Sequence, residues 1–383
     1  IYYVSNIGSD AANGTTIETP WQTLSKVNSV SFAAGDQILF NRGNSWFGQL
    51  LPKSGTSGNP IIYGAYGTGD KPLLHQSVLQ NNTLDWTEES ANIWKTTGTY
   101  TLDIGNVIFG DDTSVGIKKW NKTDLITQGF YWYDAANDLV YIYSVSNPAT
   151  FYTGIRLCIK SNIIYMNPVS YATIENLSLK YGADGGIFLV NSNYITIKNC
   201  DFAWLGGGEF GAPTRVGGGI GSWASIHDVL VENCKIWECF DNGISNQYDG
   251  TATHHQYNII YRNNQIWNCE YSFEYFNRSP AGSTHDVSFI NNTCYNAGGG
   301  WGHAQRSNPS GHHLRLAGTP TNTYNFVIEN NIFHSAMSAI HRNWDTSGKY
   351  TIDYNDLYQV SGDYAYINTT TYADFAAYKT ATG

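Results

Sequence analysis

Side chains that could do acid–base chemistry are concentrated in one stretch of the sequence, from residue 241 to residue 341. They are carboxylates, guanidinium groups and an imidazole: Asp241, Glu270, Glu274, Arg278, Arg306 and His341. Carboxyl groups that lie close together either share a proton, which raises the pKa of one of them, or share a cation. If the fold brings these residues together, we expect a catalytic acid–base site. Asp241 and Glu270 would be the pair that could hold Ca²⁺.

A second group of residues has the side chains expected around such a site. Aromatic rings and hydrogen-bonding groups are the usual lining of a ligand cleft. The group consists of Trp223, Gln247, Asp249, Phe276, His303 and Arg215. Arg215 ends a glycine-rich segment, 206–215, that could wall a cleft, as loops on rigid scaffolds do. For any single residue a solvated polar surface is the simpler interpretation, whereas the cluster as a whole indicates function.

A sequence repeat could bring these residues together. Between residues 170 and 356, six phrases alternate apolar and polar residues, which is the pattern of a half-buried strand, and each phrase ends in Asn. These are Asn176, Asn199, Asn233, Asn263, Asn291 and Asn330, at intervals of 23, 34, 30, 28 and 39 residues. Asn tolerates the left-handed backbone conformation that a sharp bend needs. We expect the six side chains to stack in one column and to hydrogen bond to each other.

A second apolar phrase follows in each unit, with a small residue before a large one. The large residues, expected to point inward, are Ile187, Ile220, Ile244, Phe273, Trp301 and Ile340. Short strands in every unit, without a helical period between them, predict an all-β fold, a right-handed parallel β-helix. In such a solenoid, equivalent residues of adjacent coils lie ~4.8 Å apart. Asp241 and Glu270 then become neighbours, Glu274 points outward, and His303 points inward.

The two ends and one internal segment depart from the repeat. We therefore divide a single β-helix domain into an N-terminal cap with the first coils (1–91), an insertion rich in β-hairpins (92–160), main coils (161–360) and a C-terminal cap (361–383). Within the insertion, residues 130–134 and 139–143 alternate like strands around a short turn, which predicts a hairpin. A weak helical period in 372–379 predicts a helix that covers the last coil.

Two phrases near the N-terminus resemble a known group of proteins. Gly8-Ser9-Asp10 and Gly35-Asp36-Gln37-Ile38-Leu39-Phe40 are similar to the entry region of secreted bacterial β-helix proteins of the pectate-lyase-like superfamily, which includes polysaccharide lyases and glycoside hydrolases. The resemblance implies that a short helix caps the first coil and that the second phrase forms the first inner strand. Glu274 and Arg278, with Arg306 on the next coil, also resemble the arrangement in alginate- and chondroitin-lyase β-helices, which have Lys at the place of Arg278.

Composition excludes several other classes of protein. The chain has 21 Lys and Arg against 31 Asp and Glu, a formal net charge of −10, which argues against nucleic-acid binding. Because 42% of the residues are hydrophobic and 14% are charged, the chain is expected to fold. It has no apolar run of the ~18 residues that a membrane span needs. The many Tyr, Asn and Thr residues and the first residues of the chain predict a secreted bacterial protein whose signal peptide has been removed. We expect it to be a monomer.

Three functions fit these observations. A glycoside hydrolase would use two carboxyl groups, drawn from Asp241, Glu270 and Glu274, to cleave a polysaccharide, and it needs no cofactor. A polysaccharide lyase would use Arg278, Arg306 or His341 on a uronic acid, with Ca²⁺ an option. A glycan-binding or adhesion protein would need the aromatic residues but not the paired carboxylates. The few Lys residues and the negative charge favour a neutral substrate and therefore hydrolysis.

The six cysteines follow the repeat. Cys200 and Cys234 come directly after the repeated Asn, and Cys239 and Cys269 each lie six residues after it. Each pair should stack on adjacent coils. Side chains in register on parallel strands point the same way, which suits a disulfide poorly. We therefore predict buried, unbridged thiols.

Overall fold

The structure is a computed structural model that describes residues 1–279, 281–319, 321–342, 349–358 and 362–382. Most strands stack into three sheets. The first sheet contains Tyr2–Val4, Gln37–Asn41, Ile61–Tyr66, Ser170–Glu175, Asn193–Lys198, Ile226–Glu232, His254–Arg262, Gly282–Ile290, Thr323–Glu329 and Tyr350–Asp353. The second contains Ser45–Phe47, Leu73–His75, Ser178–Lys180, Asp201–Leu205, Lys235–Cys239, Gln265–Trp267, Thr293–Ala297, Ile332–Ala336 and Asp356–Tyr358. The third contains Asn162–Met166, Gly185–Val190, Gly218–Trp223, Asn242–Tyr248, Tyr271–Asn277, His312–Gly318, Ser338–Arg342, Asp363–Ile367 and Thr370–Tyr372.

The three sheets form the faces of a parallel β-helix, as predicted. From Asn162–Met166 to Asp363–Ile367 the coils contribute one strand to each sheet in turn, and neighbouring strands are parallel apart from the last hairpin of the third sheet. Alternating residues point inward and stack in columns. One column of the third sheet is Ile187, Ile220, Ile244, Phe273, Leu314 and Ile340, each of which is almost fully buried. Burial of such apolar columns is the main stabilising contribution to a solenoid.

The prediction for the fifth coil was wrong, because Leu314 and not Trp301 occupies the inward position. Trp301 lies in a long loop between the strands Thr293–Ala297 and His312–Gly318. The sequence around Trp301 has the same pattern as the repeat, a glycine before a large apolar residue, although it does not form a strand. The true strand starts eleven residues further on and alternates correctly.

The repeated Asn residues make the predicted bends, but they do not form the predicted amide ladder. All six have φ between 55° and 59°, the left-handed region. The ladder is formed one residue later, by Asn264, Asn292, Asn331 and Asn355. Each of the first three donates its side-chain amide to the side-chain oxygen of the next, at 3.0, 3.1 and 2.9 Å. At the bend, Asn is favoured because its backbone adopts the left-handed conformation. At the buried position that follows the bend, Asn is favoured because its side-chain amide bonds to the next coil.

The substitution Asn292→Ala should therefore destabilise the fold. Asn292 is 1% exposed, accepts hydrogen bonds from the backbone and side chain of Asn264 and donates to the carbonyl of Tyr261. Alanine leaves these buried groups without partners, at a cost of ~2–4 kcal/mol. Urea unfolding would measure it. The control is Asn291→Gly, at an exposed bend where glycine adopts the same φ without strain. Equal losses in both variants would contradict the ladder.

An antiparallel β-insertion interrupts the coils between Leu73–His75 and Asn162–Met166. Its strands are Ser77–Leu79, Trp86–Ser90, Ile93–Thr96, Ile104–Phe109, Ser114–Val115, Ile117–Lys118, Phe130–Asp134, Leu139–Tyr143 and Arg156–Ile159. The predicted hairpin of Phe130–Asp134 with Leu139–Tyr143 is confirmed. Two strands that precede residue 92 also belong to these sheets. Short helices lie at Thr83–Asp85, Lys122–Asp124 and Pro148–Phe151. The insertion has its own apolar core.

Helices lie at both ends of the solenoid. Leu24–Ser29 buries Leu24 and Val27 in the core beside the first coil, and Gln37–Asn41 is an inner strand, as the resemblance implied. Phe375–Thr382 packs on the last coil through rings that contact Tyr364. In the part of the chain that the structure describes, no helix is long and apolar enough to cross a membrane.

The cysteines are buried and unbridged, as predicted. All six thiols are free. Burial raises the pKa of the Cys239 thiol, a rise to which Cys269 contributes, and burial raises the pKa of the Cys234 thiol next to Cys200. Because an unreactive thiol is a small apolar group, these residues act as core packing.

Candidate functional site

The candidate site lies on the outer face of the third sheet. Ser245, Glu274, Arg315 and His341 are in register on four successive coils and form one outward column. Asp241 and Glu270 lie at the bends that lead into two of these strands. The two bends lie on adjacent coils. The backbone N–H of Tyr271, the residue after Glu270, donates to the carbonyl of Asp241 at 3.1 Å. The predicted neighbourhood of Asp241 and Glu270 is confirmed.

A loop from the next coil closes over the carboxylates. It contains the one-turn 3₁₀ helix His303–Gln305, which is followed by Arg306. His303 Nδ1 lies 2.9 Å from Glu270 Oε2, and Arg306 Nη1 donates to Asp241 Oδ1 at 2.9 Å. The prediction that His303 points into the core was wrong, because it belongs to this loop and not to a strand. The loop thus brings a cation and an imidazole onto two carboxylates.

Glu270 has both of its oxygens occupied. Oε1 accepts the backbone N–H groups of Ser310 and Gly311, at 2.5 and 2.9 Å, and Oε2 contacts His303. The Glu270 side chain is 0% exposed. These contacts hold the two ends of the loop, so that the structure favours a positioning role for Glu270.

Asp241 and Glu274 each keep one oxygen that accepts no hydrogen bond from the described residues. Asp241 uses Oδ1 for Arg306, which leaves Oδ2. Glu274 Oε2 accepts from Asn242 Nδ2 at 2.9 Å and from Gln247 Nε2 at 2.7 Å, which leaves Oε1. Both residues are 9% exposed. A ligand on the face would therefore meet one uncommitted oxygen from each carboxyl.

The two carboxyls have different electrostatic surroundings. Burial raises the pKa of Glu274 from 4.5 to about 7, and the nearby Asp241 charge adds to the rise, which Arg315 and Arg306 partly oppose. Burial also raises the pKa of Asp241, but Arg306 in direct contact opposes it most strongly. Since the two groups repel each other when both are charged, the Asp241 charge favours the protonated form of Glu274.

The predicted ligand-binding residues lie in several places. Trp223, Gln247 and Phe276 form the next outward column beside the carboxylates, and the Trp223 ring packs edge-on against Tyr248 at 5.7 Å. Asp249 is exposed beyond the end of the strand.

Two other candidate residues, Arg278 and His341, lie beside aromatic or imidazole rings. Arg278 is exposed, with its guanidinium 4.5 Å from the Phe276 ring. His341 Nδ1 lies 3.0 Å from His312 Nε2.

Arg215 is buried away from the open face, at 5% exposed. Its guanidinium donates to the carbonyls of Gly207 and Gly105, at 2.7 and 2.6 Å, and to Gln305 Oε1 at 2.8 Å. Gly105 belongs to the insertion and Gln305 to the loop over the carboxylates. Arg215 therefore joins the insertion to the site and does not contact a ligand on the face.

Sequence reasoning missed Arg315 and His312. His312 begins the strand His312–Gly318, and Arg315 lies in its middle. Burial lowers the pKa of His312 to about 3, so that it is neutral. The alternation of Leu314 and Leu316 with Arg315 could have revealed this strand, and with it Arg315 as an outward neighbour of Glu274.

The residues present do not favour a cation between Asp241 and Glu270. Arg306 already supplies positive charge there, 2.9 Å from Asp241 and 3.9 Å from Glu270. Among the described residues, no group of three or more His, Cys, Asp or Glu side chains is arranged to hold a metal ion. We derive no step of the reaction through Ca²⁺.

Coils of three parallel sheets with a polar site on one outer face define a right-handed parallel β-helix protein, and the family comparison agrees. Residues 139–310 match the family model of the right-handed β-helix region. A solved glycoside hydrolase has a TM-score of 0.51 at 11% identity, with 99% of this chain and 98% of that chain covered. The structure of XylC with xylose has a TM-score of 0.50 at 14% identity, with 95% and 66% covered.

A short segment is also similar to a curated protein. It is 40% identical over 81 residues to the lacto-N-biosidase of Bifidobacterium longum subsp. longum, which covers 19% of this chain and 5% of that protein. The predicted resemblance to right-handed β-helix proteins is confirmed.

Proposed function

We propose that this protein is a glycoside hydrolase that cleaves a polysaccharide, with Glu274 as general acid and Asp241 as the second carboxylate. The observation that supports this proposal is the pair of uncommitted oxygens, one on a carboxyl whose pKa is about 7 and one on a carboxylate in contact with Arg306. Two carboxyl groups with different protonation states are what hydrolysis of a glycosidic bond requires. The lacto-N-biosidase segment supports a glycan substrate.

Hydrogen bonding determines which oxygen of Glu274 carries the proton. Two amide N–H groups donate to Oε2, so that the proton of the neutral acid is held on Oε1. From there it can pass to the oxygen of the leaving sugar as the glycosidic bond breaks. Arg306 favours the ionised form of Asp241 through their contact, and in that form Asp241 would stabilise the positive charge that develops at the anomeric carbon, either by direct attack or through a water molecule.

The column beside the carboxylates provides a surface for the sugar chain. Trp223 and Phe276 are half-buried and flank Gln247, which itself bonds to Glu274. In the other outward column, that of Ser245 and Glu274, the residue before Ser245 is Gly221. The Phe188 ring lies against this glycine, since an added Cβ would be 2.9 Å from the ring. The surface beside Glu274 is therefore shallow and has an aromatic ring at its edge. It can accept the apolar face of a sugar ring.

A polysaccharide lyase is the second candidate, and Arg315 favours it. Its half-buried guanidinium is next to Glu274 in register, and it makes no hydrogen bond or ion pair with the described residues. An unpaired cation at this place could neutralise the carboxylate of a uronic acid, and a carboxyl with a pKa near 7 could then remove the adjacent proton.

A panel of polysaccharides would distinguish the candidates. We expect release of reducing sugar from at least one polymer without new absorbance near 235 nm, which marks the unsaturated product of elimination. That absorbance would establish a lyase in place of a hydrolase. Binding without either signal on the whole panel would support an adhesion protein. Secretion stays a prediction from composition, which detection of the protein in culture medium would check.

A further inference from the structure

A second candidate binding surface lies on the outer face of the second sheet. Its residues are in register on successive coils: Lys180, Ala203, Trp237, Trp267, Tyr295, His334 and Tyr358. Trp237 and Trp267 are parallel, with ring centroids 4.9 Å apart. Further along the column, His334 contacts Tyr295 and Tyr358 at tilted angles of 33° and 31°.

The stack ends at Trp237. The preceding position in the column is Ala203, which has no ring to cover the other face of the indole. That face borders a cleft of about 420 Å³ between the coils. Lys180 Nζ approaches the ring to 5.8 Å from its centroid. The Lys180 ammonium, held by Asp112 at 3.3 Å, thus lies over this face, and the ring and the ammonium line the cleft together.

Hydrogen-bonding groups line the rest of the cleft. Lys71 Nζ and Asp201 Oδ1 form an ion pair at 2.8 Å, and both side chains are about one-quarter exposed. Asn44 and Asp70 lie on the same wall. Both lysines that line the cleft are paired, Lys71 with Asp201 and Lys180 with Asp112 at 3.3 Å, so that among the described residues the cleft has no unpaired lysine to attract an anion. An aromatic face with balanced donors and acceptors suits a neutral ligand that carries many hydroxyl groups.

The cleft is separate from the carboxylate site. The bend between Trp237 and Asp241 is covered by Trp301, whose backbone N–H and indole N–H donate to Glu238, at 3.2 and 2.9 Å. A ligand in the cleft thus lies on another face of the solenoid from Glu274.

We propose that this cleft binds a neutral sugar unit of the polysaccharide and holds the polymer while the carboxylate site cleaves it. The proposal rests on the proposed function for the polymer and its cleavage, whereas binding of sugar in the cleft can be measured without it. Stacking on one aromatic face contributes ~0.5–1.5 kcal/mol beyond the burial of area, which corresponds to about a 10-fold change in affinity at the upper end.

The test compares Trp237→Ala and Trp237→Leu with Tyr295→Ala in the full chain. Tyr295 is another ring of the same stack, is 49% exposed and is two positions from Trp237, so that it controls for loss of an aromatic ring on this face. Binding to insoluble xylan, cellulose and chitin, with polygalacturonate as the anionic comparison, would be measured by depletion. Melting temperature would confirm the fold of each variant.

Both Trp237 variants should bind a neutral polymer about 10-fold more weakly than the wild type, with an unchanged rate on a short soluble oligosaccharide. Tyr295→Ala should bind normally. Unchanged binding in a folded Trp237 variant, an equal loss in Tyr295→Ala, or binding to polygalacturonate alone would overturn the proposal. Binding that depends on Trp237 without cleavage of any polymer would refute the proposed function and support the cleft.

Discussion

The substitution Glu274→Gln is expected to lower kcat on the cleaved glycan by about 10²–10⁴-fold, the usual contribution of a general acid. Glutamine keeps the shape of the side chain and can still contact Asn242 and Gln247. It has no proton of suitable acidity to give to the leaving oxygen. Substrate affinity should change little, because the neutral amide resembles the neutral acid in the buried site.

The pH profile of kcat/KM would separate this role from a structural one. Glu274 acts in its protonated form, so that the wild-type rate should fall as the pH rises through about 7, and Glu274→Gln should lose this dependence. The control is Glu175→Gln, on the first sheet, where Glu175 pairs with Lys198 at 3.0 Å. A folded Glu274→Gln variant with near-normal turnover would place the site elsewhere.

The raised pKa of Glu274 should also make stability depend on pH. The folded-state pKa of Glu274 is raised, so that between about pH 4.5 and 7 the folded state binds more protons than the unfolded state. The free energy of unfolding therefore loses this contribution as the pH rises through that window. Glu274→Gln removes the buried charge and should be more stable than the wild type above pH 7, as measured by urea unfolding.

Arg306→Gln is expected to have the second-largest effect. Arg306 contacts Asp241 at 2.9 Å, and both side chains are 12% exposed. Removal of one partner from a buried ion pair costs ~3–5 kcal/mol of stability, because the other charge stays buried without its partner.

The same substitution should alter the pH profile. Without Arg306 the pKa of Asp241 rises further, and the acid limb of the kcat/KM profile should move to higher pH. Arg278→Gln is the control, since Arg278 is exposed and stacks on Phe276. An unchanged acid limb in a folded Arg306→Gln variant would show that Arg306 does not tune Asp241.

The repeat allowed the fold to be predicted from the sequence, because a solenoid is built from local periodicity. The alternation of each phrase specifies a strand, and the terminal Asn specifies a bend, which the φ of 57° at Asn263 illustrates. The amide ladder was assigned one residue too early. Both Asn263 and Asn264 are Asn, and only burial shows which of the two side chains faces the next coil.

The site could be predicted only in part, because its chemistry depends on loop closure. The register of the repeats was enough to predict that Asp241 lies beside Glu270 and that Glu274 points outward. It could not show that the loop occupies both oxygens of Glu270 and leaves Asp241 Oδ2 uncommitted. Gln305, which donates from Nε2 to Gly116 O across 189 residues of sequence at 3.0 Å, is another contact that no local pattern indicates.

Titration of the Glu274 carboxyl tests the central claim most directly. Carbon-13 NMR of protein labelled at the glutamate carboxyl carbon, compared between the wild type and Glu274→Gln, would assign its signal. We expect a midpoint near pH 7, with which Glu274 is a proton donor at neutral pH. A midpoint near the ordinary value of 4.5 would contradict it, because Glu274 would then be ionised and unable to act as the acid.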